Sequence, residues 1–447
     1  MKKAILSVLI AVFFLALPSR AQISLLHEFV GGAGDGSKPN SAPLLSGSTL
    51  YGMTRFGGSN NYGTLYKMQD DGSGFTILHH FNWTTGNGAD PQGPPVLSGS
   101  TLYGVTLYGG TSTYPGGDGT VFKIGTDGSD FAILHTFLGG ADNGSLPAGG
   151  LVQSGSTLYG TTMLGGDADK GTVFKIETDG SDFALLHEFS TSDGRAPSGL
   201  LLSGTTLYGI TASGGSSDRG TVYKIETDGS GFSVLHHFTG GADDGWGPVK
   251  LVALADGKLY GATQVGGDWN RGTVFKLGTD GDNFTLLHEF AGGTNDGSMP
   301  PFSPVVSGSF LWGTTYAGGD SDLGVVYQMQ TDGSGYAVLH EFAGGTDDGS
   351  TPYAGLLLSG SALVGATFLG GDSDLGVLFS LPIPPALAVT SPNGGENWTA
   401  GASHNITWDR AGAVGSIGID YSTDNGGNWT TVASDEANDG SFAWTVP

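Results

Sequence analysis

Three short motifs recur in a fixed order along this chain, and their spacing constrains the fold more than any other feature. Leu-His-x-Phe places histidines at His27, His79, His135, His187, His236, His288 and His340, at intervals of 52, 56, 52, 49, 52 and 52 residues. Leu-Tyr-Gly recurs at Tyr51, Tyr103, Tyr159, Tyr208 and Tyr260, then decays to Trp312 and Val364. Gly-Thr-Val-Phe/Tyr-Lys and its variants begin at Gly63, Gly119, Gly171, Gly220, Gly272, Gly324 and Gly376. Each motif occurs seven times. A period of this length belongs to propellers or solenoids.

One unit, residues 147–189, reads as four strands. PAGGLVQSG is short and ends in a Ser-Gly turn, STLYGTTML alternates, and GTVFKI and FALLHEF follow. No helical periodicity interrupts them, so helical repeats are excluded. Glycine accounts for 82 residues without a Gly-X-Y period, which fits many tight turns rather than collagen. Four antiparallel strands per unit is the pattern of a propeller blade.

The motif order adds a sharper expectation. The array opens at ISLLHEF, a lone fourth strand, and closes at GVLFSL, a third strand with none after it. A ring uses that offset, because the first strand can complete the last unit. A linear solenoid would be left with raw edges. The predicted fold is therefore all-β, a seven-bladed β-propeller over 22–381 closed by the N-terminal strand.

Residues 1–21 read as a signal peptide: Lys2 and Lys3, an apolar run from Ala4 to Leu17, and Ser19-Arg20-Ala21 as the cleavage pattern. The run is short for a membrane span. Its removal takes Lys plus Arg from 17 to 14 against 42 Asp plus Glu, and predicts a secreted or cell-surface protein with no transmembrane segment. So acidic a chain lacks the basic patches that nucleic acid requires. The absence of cysteine excludes disulfides and thiol chemistry.

The three motifs resemble the bacterial secreted tandem-repeat proteins known as GloVer repeats, which carry a Gly-Thr-Val-Phe signature. The resemblance covers about 80% of the chain; it implies export, a repeat ectodomain and a C-terminal accessory module, and no known activity. PIPPA at 382–386 reads as a linker. From 387 to 447 a different module follows, with alternating strands and Trp398, Trp408, Trp429 and Trp444. It resembles immunoglobulin-like or fibronectin-like modules with a Pro-Asn-Gly-Gly-Glu opening. At about 60 residues it is short of the usual ~100, so an incomplete β-sandwich is expected.

If the strands run outward from the axis, the loops between units and those between second and third strands share one face. The opposite face carries Thr-Asp-Gly-Ser-x-Phe turns such as Thr178–Phe183, in part similar to the Asp-box turns of sialidase-like propellers. On the first face, Asp167/Asp169, Asp320/Asp322 and Asp372/Asp374 are carboxylates two apart before glycine, a pattern that suits calcium. The competing reading is solvated turn carboxylates: Ser59/Asn61 and Asp268/Asn270 stand at the matching positions, and no trailing Glu supplies a bidentate ligand. The seven histidines read as structural, since sevenfold repetition on outer strands keeps them apart. Departures from the repeat are better ligand candidates: Trp246, Trp269 with Asp268 and Asn270, and Trp83 with Tyr114. Exposed Trp beside Asp and Asn suits sugar rings. The expected function is a monomeric binding or structural ectodomain for a glycan or surface protein. The rival is a polysaccharide hydrolase or lyase, against which stands the lack of any unique cluster of acids and bases.

Overall fold

The computed structural model describes residues 9–13, 22–110, 117–393, 396, 398–412, 416–422 and 428–447. Of the expected signal peptide only Leu9–Phe13 falls within them; the rest, like Tyr114, lies outside the described residues. The described chain is all-β, with no α-helix and a single short 3-10 turn at Trp83–Thr85. Among the described residues no helix is long and apolar enough to cross a membrane.

Among the described residues of the repeat region there are seven antiparallel sheets of four or five strands, numbered here in chain order, and two two-stranded ones, Gly297–Ser298 with Ala317–Gly318 and Gly349–Ser350 with Leu369–Gly370. The third is representative: Gly144–Ser154, Thr157–Gly165, Thr172–Glu177 and Ala184–Glu188 pair in that order. The four strands are those expected from the sequence. The outer pair carries a bulge between Val173 and Phe174, with Val173 opposite His187 and Phe174 opposite Leu185. In the seventh sheet the outer strand is Ser24–Glu28. It pairs with Val377–Pro382, placing Leu25 opposite Phe379 and His27 opposite Leu378, with the bulge in the same place.

Apolar side chains fill the space between successive sheets. Phe137 and Val121 of the second meet Phe174 and Ile176 of the third. Phe29 and Leu378 of the seventh meet Leu50, Tyr66 and Met68 of the first. A backbone strap accompanies each interface. The residue before the conserved-pattern proline of each first strand adopts a left-handed φ, from 49° to 64°, at Lys38, Asp90, Leu146, Ala196, Gly247, Met299 and Thr351. That turn aims its N–H at a carbonyl of the preceding unit, as in Leu146 to Asp118 at 2.7 Å and Thr351 to Leu323 at 2.8 Å. Lys38 makes the same bond to Leu375, at 2.7 Å, across the two ends of the array.

The histidines tie the same interfaces. His187 stacks on Phe232 of the next sheet, 3.6 Å between centroids, and its Nε2 lies 3.2 Å from Asp193 Oδ2. Asp193 Oδ1 accepts from Ser190 N–H at 2.7 Å, so one carboxylate serves both a ring and a backbone turn. Five units carry an aspartate here, Asp35, Asp193, Asp244, Asp296 and Asp348.

The second unit differs. Asn87 keeps the backbone half, its Oδ1 accepting from Asn82 N–H at 2.7 Å, while His79 Nε2 is buried without a partner. Burial, then the neighbouring His80, pushes His79 down to about 4. A ring held neutral in the fold and protonated below about 6.5 when unfolded contributes nothing adverse above that pH. Stability is then lost as pH falls from 6.5 toward 4, by up to about 3 kcal/mol. Asn87→Asp supplies the missing oxygen. Urea unfolding at pH 7 and at pH 4.5 is expected to show the variant losing about 2 kcal/mol less than the parent on acidification. An identical loss in both would reject the account.

Beyond the repeats, Ala386–Ser391, Ser403–Ala411 and Ser441–Thr445 form one three-stranded sheet. Ile417–Ser422 and Thr430–Glu436 form another, which Leu9–Phe13 joins along Ile417–Ser422. Ile406, Trp408, Ile419 and Trp444 fill the space between. The join to the repeats is packed: Ile383, Ala388 and Ala411 share a buried cluster with Phe310 and Trp312, and Ser309 Oγ donates to Asp409 Oδ2 at 2.6 Å.

Candidate functional site

A cavity of about 600 Å³ is lined by residues of all seven units, lying on or beside their first and second strands. One column of the repeat reaches it at Gly149, Lys250 and Phe302. Two residues after each first-strand proline stand Ser41, Gly93, Gly149, Gly199, Lys250, Phe302 and Ala354. Five are small because the strands crowd together: a Cβ on Gly93 would lie 2.6 Å from Gly150 Cα. Lys250 and Phe302 break the column on adjacent sheets, with Lys250 Nζ 4.4 Å from the Phe302 ring centre.

The upper wall comes from the residue after the last buried threonine of each second strand. Here stand Arg55, Leu107, Met163, Ala212 and Gln264 in the lining, with Tyr316 and Phe368 at the matching positions beside it. First strands begin and second strands end at this level, so the cavity opens on the face bearing the inter-unit loops. Along one side of the mouth the aromatics form a continuous wall. Tyr353 is edge-on to Phe302, Tyr316 and Phe368 at 6.5, 6.3 and 5.9 Å. Tyr316 and Tyr353 are 38% and 40% exposed, unusual for large rings in this molecule.

Cations flank that wall. Lys38 Nζ lies 4.9 Å from the Phe368 ring and Lys250 over Phe302, both at cation–π distance. Among the described residues neither ammonium pairs with a carboxylate. Arg55 Nε lies 2.9 Å from Asp90 Oδ2. Burial pushes the Asp90 carboxyl up to about 6 despite that partner. Burial likewise pushes Lys250 down to about 8. Asn40 Oδ1 is buried without a partner, while its Nδ2 donates to Pro91 O at 3.2 Å. Among the described residues no Asp, Glu or His lines the cavity, although Asp90 stands behind Arg55 and Gln92 of its wall.

The residues singled out in the sequence fall in different places. Trp246 lines the cavity, where Ser37, Ser145, Ser298 and Ser350 stand in other units, and Arg219 Cζ sits 3.8 Å from its ring centre. Trp269 is 64% exposed on an outer loop and does not reach the cavity. Asp268 beside it donates its N–H to Glu289 Oε2 at 2.7 Å, and Asn270, at φ 53°, accepts from Gly266 N–H at 3.2 Å. Trp83 packs between the first two sheets, 5.7 Å from Tyr108 and 6.2 Å from Tyr62. The structure therefore brings none of Trp83, Trp246 and Trp269 together.

In the paired carboxylates the second member has a turn role. Asp169, Asp322 and Asp374 each adopt a left-handed φ and accept from the N–H of Gly165, Gly318 and Gly370 at 2.8 Å. Asn61 does the same for Gly57 at 3.0 Å, which explains why Asp and Asn alternate there. Asp167, Asp320 and Asp372 are exposed, their N–H groups donating to Glu188, Glu341 and Glu28. Among the described residues no three His, Asp or Glu gather as a metal site. Tyr316, Tyr353, Phe302, Phe368, Lys38 and Lys250 escaped the sequence reading. Aligning the units on the first-strand proline would have exposed Lys250 and Phe302 as the odd members of an otherwise small column, and Tyr353, Tyr316 and Phe368 as the aromatic members of columns that hold no other aromatic ring.

A model of the Gloeobacter/Verrucomicrobia repeat matches residues 11–215 and 199–390. No curated protein matches the chain. Among solved structures, an oligogalacturonate lyase from Vibrio parahaemolyticus aligns at TM-score 0.51 and 11% identity, over 86% of this chain and 99% of that one. A protein named as a 6-phosphogluconolactonase from Bacteroides fragilis aligns at TM-score 0.50 and 15% identity, over 73% and 88%. At such identities the likeness is one of fold, and the fold is of the propeller type.

Proposed function

The chain belongs to the Gloeobacter/Verrucomicrobia repeat family, and from that premise we propose that it is an exported saccharide-binding ectodomain. Its repeat region is a seven-bladed β-propeller closed by the N-terminal strand, followed from residue 387 by an immunoglobulin-like sandwich. Supporting the ring are the seven equivalent straps, the last of which runs from Lys38 to Leu375, and the pairing of Ser24–Glu28 with Val377–Pro382. Supporting export is the charged, apolar and small-residue order of residues 1–21.

The observation that carries the binding role is the aromatic wall at the cavity mouth. Sugar rings present apolar C–H faces rimmed by hydroxyls. They stack on flat side chains and take hydrogen bonds from neighbouring amides. Phe302 and Tyr353 in the lining, with Tyr316 packed against Tyr353 and exposed beside it, supply the first kind of contact; Asn40, Gln92 and Gln264 supply the second. A hydrolase needs two carboxyl groups roughly 5–10 Å apart across the scissile bond. Among the described residues the cavity lining holds none.

Titration calorimetry against a panel of bacterial and plant oligosaccharides tests this reading. At least one is expected to bind the parent, and Tyr316→Ala with Tyr353→Ala to weaken it by about thirtyfold, the equivalent of roughly 2 kcal/mol. Undiminished affinity in the double variant, or no binding to any saccharide by the parent, would overturn the assignment. Turnover of any panel member would instead favour the enzymatic alternative.

A further inference from the structure

We infer that the saccharide taken by this cavity is acidic, a uronate-type oligomer whose carboxylate is met by Lys250. This rests on the saccharide-binding reading and deepens it. The argument begins with charge. The chain holds 42 Asp plus Glu against 17 Lys plus Arg, so a cation has many carboxylates within reach and few reasons to stand alone. Several cations are engaged. Arg55 pairs with Asp90 and Arg195 with Asp218. Lys67 and Lys276 donate to the carbonyls of Thr126 and Thr331.

Lys250 is different. Its stem runs beside the bare backbone of Gly199, where a Cβ would lie 3.0 Å from Lys250 Cγ, and its ammonium rests on the Phe302 ring inside the cavity. No carboxylate or carbonyl of the described residues receives it. Holding a cation half-buried against a ring, with no anion or carbonyl to meet it, is costly, and that desolvation lowers its proton affinity. At the same column five other units place Ser, Gly or Ala, so the fold does not require a long polar chain there. The charge is recovered only when an anion arrives. A carboxylate in a partly dry cavity is a strong match for an ammonium, since the contact is charge-assisted and poorly screened.

The neighbouring groups extend the match beyond one charge. The aromatic wall runs from Phe302 through Tyr353 to Phe368, and a second unpaired ammonium, Lys38, lies at its far end. An oligomer that alternates sugar face and carboxylate follows that order of groups. Asn40 Oδ1, buried and unpartnered in the lining, is an acceptor suited to a sugar hydroxyl.

The test compares free-acid and methyl-esterified forms of galacturonate, glucuronate and mannuronate trisaccharides, with neutral trisaccharides alongside, by calorimetry on the exported chain. The parent is expected to prefer at least one acid over its ester by about tenfold or more. Lys250→Met keeps the stem against Phe302 and removes the charge. It is expected to bind acid and ester alike and to melt no lower than the parent. Lys250→Arg is expected to retain the preference. If the parent binds saccharides but treats acid and ester equally, or if Lys250→Met keeps the full preference, the inference falls while the binding assignment stands. If no saccharide, acidic or neutral, binds the parent, the binding assignment itself falls.

Discussion

Deletion of residues 22–29 is expected to abolish cooperative folding of the repeat region. The segment contributes to two interfaces at once. Ile23 and Leu25 join the cluster between the sixth and seventh sheets, while Leu26 and Phe29 join the one between the seventh and the first. Phe29 is 1% exposed, its ring 5.6 Å from Tyr66, and its N–H donates to Gly376 O at 3.0 Å. His27 stacks on Phe75 at 3.9 Å and reaches Asp35 Oδ1 at 3.1 Å. Four apolar side chains at about 1.5–3 kcal/mol each, discounted for partial burial, give roughly 5–10 kcal/mol. That is comparable with the whole stability of a typical folded protein, about 5–15 kcal/mol. The deletion also bares the edge of Val377–Pro382, an invitation to intermolecular pairing. Circular dichroism melts should show no single transition. A synthetic peptide of residues 22–30, added in excess, should restore one by strand addition. A deleted chain that melts like its parent would mean that the N-terminal strand closes nothing.

The same strand shows how much of the fold could be read beforehand. A lone Leu-His-x-Phe before the first complete unit, and a missing one after the last, is a counting argument, and pairing of Leu25 with Phe379 answers it. Periodicity also exposed the histidines as repeated features of packing. The candidate site was less legible, for a physical reason. Attention to Trp and Asp leads to loops, where Asp169 and Asn270 are occupied with their own backbone turns and Trp269 faces outward. The cavity wall is instead built from residues that depart from the repeat, such as Lys250 and Phe302 in a column otherwise of Ser, Gly and Ala. Lys250 looks like an ordinary strand lysine until the units are aligned, since only the inward end of the first strand faces the axis. Trp246 was found because tryptophan is conspicuous; Tyr353 was not, although it contacts three other rings.

Replacement of the first residue of the Gly-Thr-Val signature should be nearly as damaging as the deletion is disruptive. Gly171 has φ 102°, and a Cβ there would lie 2.5 Å from Pro197 Cδ on the next sheet and equally close to the Thr162 carbonyl. Neither can retreat: Thr162 pairs with Thr172, and Pro197 pairs with Thr211. Backbone strain of about 1–3 kcal/mol and overpacking of about 1–3 kcal/mol add to roughly 4 kcal/mol for Gly171→Ala. Gly155 supplies the control. Its φ is 58° with nothing within 4 Å, so Gly155→Ala should cost only about 1–2 kcal/mol. Six signature glycines face the proline of the unit that follows them in sequence. The seventh, Gly376, faces Pro39, whose Cδ would lie 2.9 Å from its Cβ. In a closed ring Gly376→Ala therefore pays strain and crowding alike and should match Gly171→Ala in denaturant unfolding. In an open array Pro39 is absent from that position while the Thr367 carbonyl still lies 2.4 Å from the added Cβ, so the loss should fall below that of Gly171→Ala by the share of the proline contact, about 1 kcal/mol, and stay above that of the Gly155 control. The comparison thus tests, with a single methyl group, whether the first and last units touch.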